Sequence, residues 1–474
     1  MSVPDLLRGL LGLVGILAIA FAFSSHRTRI NWRTVGFGLL LQLVFAVFIL
    51  KGEDMATVFA PLGWPKAAFA FVAGLFVDFL AAVEVGSAFI FGSLGLGPAS
   101  EGSLGFFFFS QVLPTVVVFA ALMSILYYLG VMQVVVRGMA WVVRRALGTS
   151  GPESLSVSAN IFVGQTEAPL VIKPYVEKLT RSELMAVMTG GMATIAGGVL
   201  ASYVAFLGER YAQATGVAVE VGQQLFAEQL LGASVMAAPA ALILAKILIP
   251  ETEDVPDVDA RFTTDAQFAA DAGEATLPST ASDEAAAGVA AAVIDDGPKN
   301  VIDAAASGAA DGMKLALNIG AMLIAFLALI AIINGSLGWA VELMGVTLPE
   351  DKGALDLALG FVLAPVAWLV GVPMADITTF GGFLGTKVIA NEFVAYTLLA
   401  DAIAAGSIQP KTITIATFAL CGFANLSSIG IQIGGIGPLA PSRTGEIAAL
   451  GVRAVLAGTL ANLMTATIAG VLLG

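Results

Sequence analysis

The chain has 474 residues, of which 58% are hydrophobic and only 12% charged, with a mean hydropathy of +0.92; soluble domains carry about a quarter charged residues, so this is a membrane protein. Its net charge of −13 is not a surface property, because twelve acidic residues against Arg261 and Lys299 put residues 251–300 at −10 and leave −3 for the rest, which excludes a nucleic-acid footprint. The single cysteine, Cys421, excludes an intrachain disulfide, and the single histidine, His26, lies in a short basic loop, which excludes metal clusters and histidine-based catalysis.

A crossing helix takes about 20 apolar residues. In chain order, runs of that kind fall at 6–24, 35–50, 106–132, 184–207, 226–249, 315–334, 413–437 and 447–473, which makes eight crossings. The first resembles a signal peptide, with Arg8 ahead of it and Ala20-Phe21-Ala22 inside it, but the stronger basic cluster follows the run, so a retained helix is expected. Residues 67–94 carry Asp78 and Glu84 within apolar sequence and are read as an outer-surface helix, with a poor crossing as the alternative. Residues 133–147 set Val134, Val135, Met139, Trp141 and Val142 among arginines, the pattern of a helix lying on the cytoplasmic surface.

Residues 154–175 are apolar but broken by Gly164-Gln165-Thr166-Glu167-Ala168-Pro169, with basic residues of one side on both flanks. Such a segment enters and leaves on the same side as a re-entrant hairpin, and its polar tip must be buried in protein or face water. Residues 250–300, rich in Ala, Asp, Glu, Thr and Pro, are read as an acidic disordered cytoplasmic loop acting as a solvated tether. Residues 361–399 are read as a second hairpin, entering from the outer side with Asn391-Glu392 as its polar break. Lys and Arg mark the cytoplasmic loops: Arg27, Arg29 and Arg33, then Arg137, Arg144 and Arg145, then Lys173, Lys178 and Arg181, then Arg443 and Arg453. This places both termini on the periplasmic side of the cell inner membrane.

Ala159-Asn160-Ile161-Phe162-Val163 and Ala390-Asn391-Glu392-Phe393-Val394 agree at four of five positions, 231 residues apart. Gly191 and Ala193 recur as Gly422 and Ala424 at the same offset, and Asn160 precedes Thr194 by the 34 residues that separate Asn391 from Asn425. One odd crossing, 315–334, lies between the copies, so the second enters the membrane upside down. The expected fold is an all-α polytopic membrane protein with eight transmembrane helices, two oppositely oriented re-entrant hairpins and an inverted repeat. Residues 1–132 hold scaffold helices and the outer-surface helix. Residues 133–249 hold the interfacial helix, first hairpin and transport helices of repeat 1; 250–300 are the acidic loop; 301–352 hold a scaffold helix; 353–474 hold the second hairpin and transport helices of repeat 2.

The stretches from Asn160 to Leu170 (NIFVGQTEAPL), from Ala390 to Tyr396 (ANEFVAY) and from Cys421 to Ser428 (CGFANLSS) resemble the signature segments of the concentrative nucleoside transporters, and the resemblance runs over nearly the whole chain except the acidic insert. It implies a homotrimer in the lipid bilayer whose protomers each move a nucleoside inward down an ion gradient. It also implies that Gln165, Thr166 and Glu167, with Val199 nearby, face the nucleobase. Glu392, Asn425 and Ser428 would then take the ribose, whose vicinal hydroxyls suit a carboxylate, while Phe423 offers an apolar face. The coupling ion implied is Na+, on the side chains of Asn160 and Thr194 and the carbonyls of Val163 and Ile195. Other members often have Ser where this chain has Thr194, and the hydroxyl is kept.

Plainer roles stand beside these: a helix cap for Glu167 or Asn160, a buried ion pair for Glu392, core packing for Phe423 and Val199, and local hydrogen bonding for Gln165, Thr166, Thr194, Asn425 and Ser428. Ionisable groups at membrane depth are usually functional, which favours the binding roles. Proton coupling through Glu167 or Glu392 is the alternative to sodium, and a facilitative channel or transporter the alternative to a symporter. An enzyme is not expected, since the spans offer no histidine and no basic partner for Cys421.

Overall fold

The computed structural model describes residues 3–97, 100–253, 298–343 and 353–473, and every regular element among them is helical. Eight helices are long and apolar enough to cross a bilayer, but they are not the expected eight. Residues 67–94, read as an outer-surface helix or a poor crossing, fall in Trp64–Phe91, one helix of 28 residues and about 42 Å at 1.5 Å per residue, long enough for the crossing. Its two carboxylates do not need to meet lipid. Glu84 Oε1 accepts from Gly97 N at 3.2 Å and Ser100 Oγ at 2.8 Å, and Asp78 lines a groove with Glu220 and Gln224.

The run at 413–437 is not one crossing. Pro410–Leu420 and Ser427–Ile436 are separate helices joined by non-helical residues 421–426. The run at 184–207 is likewise interrupted: Arg181–Ala193, started by a Thr180–Glu183 capping box, stops at Thr194, and the chain resumes helix at Gly197–Thr215. Both breaks fall at corresponding places in the two copies, and both survive because neighbours satisfy the freed backbone. Gly197 N donates to Phe162 O at 3.1 Å, and Phe423 N donates to Thr194 O at 3.2 Å, so the breaks bond to each other.

The hairpins diverge for a local reason. In the first, Gly151–Ala159 begins with a Ser150–Glu153 capping box and Pro152, then unwinds from Asn160 until a short 3-10 turn at Ala168–Ile172. Gly164 and the missing amide hydrogen of Pro169 keep that tip open. In the second, Ile377–Ile389 and Glu392–Ala404 meet across only Ala390 and Asn391, because Asn391 Oδ1 accepts from Val394 N at 2.9 Å and restarts the helix. Residues 361–370, expected within the hairpin, belong instead to a separate helix, Ala354–Val370, packed on Ile377–Ile389 through the glycine contact of Gly360 and Gly381.

Thr444–Leu473 is the central post. Gly451, Gly458 and Gly470 leave room for Ile429, Met192 and Ile415 of the broken helices, the small-residue packing that helices use in lipid. At the periphery, Val301–Leu343 runs for 43 residues, about 65 Å, and sets Gly308 and Gly312 against Leu113–Tyr128. Val131–Leu147 is amphipathic as expected, with Met132, Val136, Ala140, Val143 and Leu147 buried and Val134 and Trp141 exposed. Most of the acidic loop, 254–297, lies outside the described residues; its first acidic residue, Glu251, meets Lys246 at 3.5 Å and Thr180 Oγ1 at 2.8 Å.

Candidate functional site

The tip of the first hairpin, the second break and the tip of the second hairpin converge on one hydrogen-bonded chain. Gln165 Nε2 donates to Ser428 Oγ at 3.1 Å. Ser428 N donates at 2.9 Å to Asn425 Oδ1, which also accepts from Ser427 Oγ at 2.7 Å. Asn425 Nδ2 donates to Glu392 Oε2 at 2.9 Å, and Glu392 Oε1 accepts from Tyr203 Oη at 3.2 Å. Gln165, Asn425, Ser428 and Glu392 are all buried, so the chain is a polar seam set within apolar protein. Gln165 Oε1 is buried without a donor, an acceptor left over once the seam is satisfied.

One edge of the seam is open. Glu167 is exposed, and Thr166 and Phe423 are half-buried, whereas Val199 is buried. Thr166 packs against Gly435, where a Cβ would meet its Cγ2 at 2.5 Å. Glu167 caps nothing through its side chain at the following 3-10 turn, and it stands within electrostatic reach of Tyr127. The structure therefore joins Gln165, Ser428, Asn425 and Glu392 directly and leaves Thr166, Glu167 and Phe423 around the opening.

Asn160, Val163, Thr194 and Ile195 lie where the first tip abuts the first break, joined by the Gly197–Phe162 bond. All four are buried. Thr194 Oγ1 donates to Gly190 O at 2.9 Å and Asn160 Nδ2 to Ser156 O at 3.2 Å, the local bonds that any residue closing a helix makes. Asn160 Oδ1, by contrast, is buried with no donor, and Val163 and Ile195 stand in unwound backbone. An orphaned amide oxygen beside unwound carbonyls and a hydroxyl is a donor set for a hard monovalent cation. No group of three or more His, Cys, Asp or Glu fit for a metal occurs among the described residues, so neutral oxygens would have to serve.

Sequence reasoning missed three residues. Tyr203 completes the seam at Glu392. Lys387 Nζ, fully buried, donates to Ala419 O at 2.9 Å and Asn462 Oδ1 at 2.7 Å. Asn462 Nδ2 donates to Ala193 O and Cys421 O, each at 2.7 Å. The signal was a polar or ionisable group inside an apolar run. It was passed over because none of the three recurs between the copies or falls in a quoted motif. Cys421, expected to have no basic partner, is sealed beside Ser234 at 3.8 Å and lies within electrostatic reach of Lys387.

Gly422 is fixed by this crowding: a Cβ there would stand 2.5 Å from Asn462 Oδ1 and 2.8 Å from Ala193 O. Gly422→Ala is expected to cost about 1–3 kcal/mol of stability through overpacking, read as a lowered thermal midpoint of the purified protein.

The profile described as "Na+ dependent nucleoside transporter C-terminus" matches residues 229–470, "Nucleoside recognition" matches 109–210, and "Na+ dependent nucleoside transporter N-terminus" matches 11–94. The chain is 44% identical, over 98% of its length and 99% of the relative's, to the uncharacterized transporter YutK of Bacillus subtilis strain 168. It is 36% identical over 99% of its length to sodium/nucleoside cotransporter 1 of Mus musculus, and spans 64% of that protein. Among solved structures it superposes on CNTnw in an inward-facing substrate-bound state with a TM-score of 0.78 at 38% identity, covering 99% of this chain and 98% of that one. An outward-facing structure of a doubly substituted CNTnw gives 0.79 at 39% identity, covering 99% and 98%.

Proposed function

The chain belongs to the concentrative nucleoside transporter family, and from that membership we propose that it is a sodium-coupled symporter that imports nucleosides across the cell inner membrane by alternating access. The observation that carries the reading is the seam from Gln165 through Ser428 and Asn425 to Glu392 and Tyr203, which ties both halves of the inverted repeat into one polar site. A nucleoside is neutral and polar, so leaving water at mid-membrane demands donors and acceptors at fixed positions.

Gln165, with its free buried Oε1, takes a nucleobase N–H, with Thr166 and Glu167 at the open edge and Val199 as apolar support. Glu392 exchanges its tyrosine bond for the ribose hydroxyls, with Asn425 and Ser428 completing the sugar side and Phe423 lying against the substrate. Sodium travels as co-substrate on Asn160, Thr194, Val163 and Ile195, where the orphaned Asn160 oxygen supports the assignment. The two hairpins re-enter from opposite sides, so the site is reached from one face at a time.

The scaffold comprises residues 1–132 and 301–352, and the moving part 133–249 and 353–474, with 250–300 as a tether. The exposed apolar faces of Trp64–Phe91 and Val301–Leu343, including Phe89, Ile324 and Ile332, suit lipid and the neighbouring copies of a homotrimer. Basic loops on one side support periplasmic termini.

Uptake of labelled uridine into proteoliposomes is expected to concentrate the nucleoside when an inward sodium gradient is imposed, and to fall at least about tenfold when choline replaces sodium at constant pH, since each tenfold loss corresponds to about 1.4 kcal/mol of missing driving affinity. Undiminished uptake in choline that follows a proton gradient would replace sodium by protons. Saturable exchange without accumulation would make the protein facilitative.

A further inference from the structure

We propose that Lys387 is a positioning residue for transport: its ammonium balances Glu392 and the carbonyl ends of both broken helices, keeping the ribose carboxylate ionised and the two breaks in register. Lys387 lies in the last turn of Ile377–Ile389, five residues before Glu392, and has no exposed surface. A charge at such a site is tolerated only when fully compensated. Its compensation here is unusual in form. Ala193 is the last helical residue before the first break, and Ala419 and Cys421 flank the end of the helix before the second. Their carbonyls belong to the group a helix leaves unbonded at its C-terminal end, where the negative pole of its dipole lies.

The ammonium answers Ala419 directly, and through Asn462 it answers Ala193 and Cys421, so one cation serves two helix ends from opposite halves of the repeat. No carboxylate touches the ammonium among the described contacts; Glu392, the first residue of the next helix across the two-residue tip Ala390-Asn391, lies within its electrostatic reach. The other titratable groups facing this pair do not substitute for the lysine. Tyr203 bonds Glu392 as a neutral donor, Tyr396 Oη donates to Thr417 O at 2.7 Å, and Cys421 is occupied by Ser234 and Leu230 O. Asp356, on the helix behind the hairpin, accepts from Asn334 Nδ2 at 3.5 Å.

This inference rests on the transport reading above and sharpens it. Without the lysine charge, Glu392 is a buried carboxylate with no cation to balance it, so it holds a proton and offers the ribose an ionised acceptor only when the pH is high enough to remove that proton. In sodium-driven uridine uptake from about pH 5.5 to about pH 8.5, wild type should vary less than about twofold, Lys387→Met should start low and rise at least about tenfold as pH rises, and Lys387→Arg should regain the flat profile at reduced rate. A flat profile for Lys387→Met overturns the proposal.

If Lys387→Met does not accumulate as folded protein, the Lys387→Met/Glu392→Gln double variant removes both charges. Recovery of folded protein supports charge balance, and equal failure overturns it in favour of hydrogen bonding alone. Uridine binding to detergent-purified protein over the same pH range makes the same comparison without transport, so a wild type that binds but does not transport would sink the transport reading and leave the lysine role to be decided by binding.

Discussion

Glu392→Gln is expected to lower the uptake efficiency (kcat/KM) for uridine about a hundredfold, because a hydrogen bond to a buried carboxylate is worth about 1.5–3 kcal/mol and two hydroxyls compete for it. The glutamine keeps the shape but has one acceptor where the glutamate has two. It also presents an amide N–H to a neighbour, Asn425 Nδ2 or Tyr203 Oη, that already donates. The loss should shrink to within about threefold for 2′,3′-dideoxyuridine, which has no vicinal hydroxyls to offer. Competition between the two nucleosides for uptake into the same vesicles reads this directly. An equal loss for both would assign Glu392 to holding the seam together and would remove it from the ribose.

Asn160→Ala should act on the other substrate. Removal of the orphaned Oδ1 takes one oxygen from the cation set, and the sodium concentration for half-maximal uptake is expected to rise about tenfold, equivalent to about 1.4 kcal/mol. At saturating sodium the uridine KM should return close to the wild-type value, because Asn160 takes no part in the seam. A sodium titration at fixed uridine, followed by a uridine titration at high sodium, separates the two effects. If uridine KM stays raised at saturating sodium, the side chain supports the first tip as a structural cap and the ion lies elsewhere.

The candidate site residues are legible because polar groups cannot hide in an apolar run: Gln165, Glu392 and Asn425 all stand out that way, and the structure joins them in one hydrogen-bonded seam. Element boundaries were less legible. Hydropathy integrates over about 20 residues, so it reads 413–437 as continuous and cannot see that Gly422 and Asn462 hold the backbone apart there. The same averaging takes Asp78 and Glu84 as a penalty against a crossing, although Glu84 accepts from Gly97 N and Ser100 Oγ and Asp78 lines a groove with Glu220 and Gln224. Lys387 escaped for a different reason. Its partners are main-chain carbonyls and an amide 75 residues away, and no spacing in the sequence records such a pairing.

The single hydrogen bond from Phe423 N to Thr194 O has a thermodynamic meaning. It makes the proposed ion ligand and the proposed sugar-side aromatic adjacent links of one chain, so a shift of either is felt by the other. Under the proposed assignments, whatever factor sodium adds to nucleoside affinity, the nucleoside must add to sodium affinity, since the coupling free energy belongs to the pair. If that factor is greater than one, a protomer holding only one of its two passengers is disfavoured from both directions, and one peptide contact between two interrupted helices is where the two occupancies would meet.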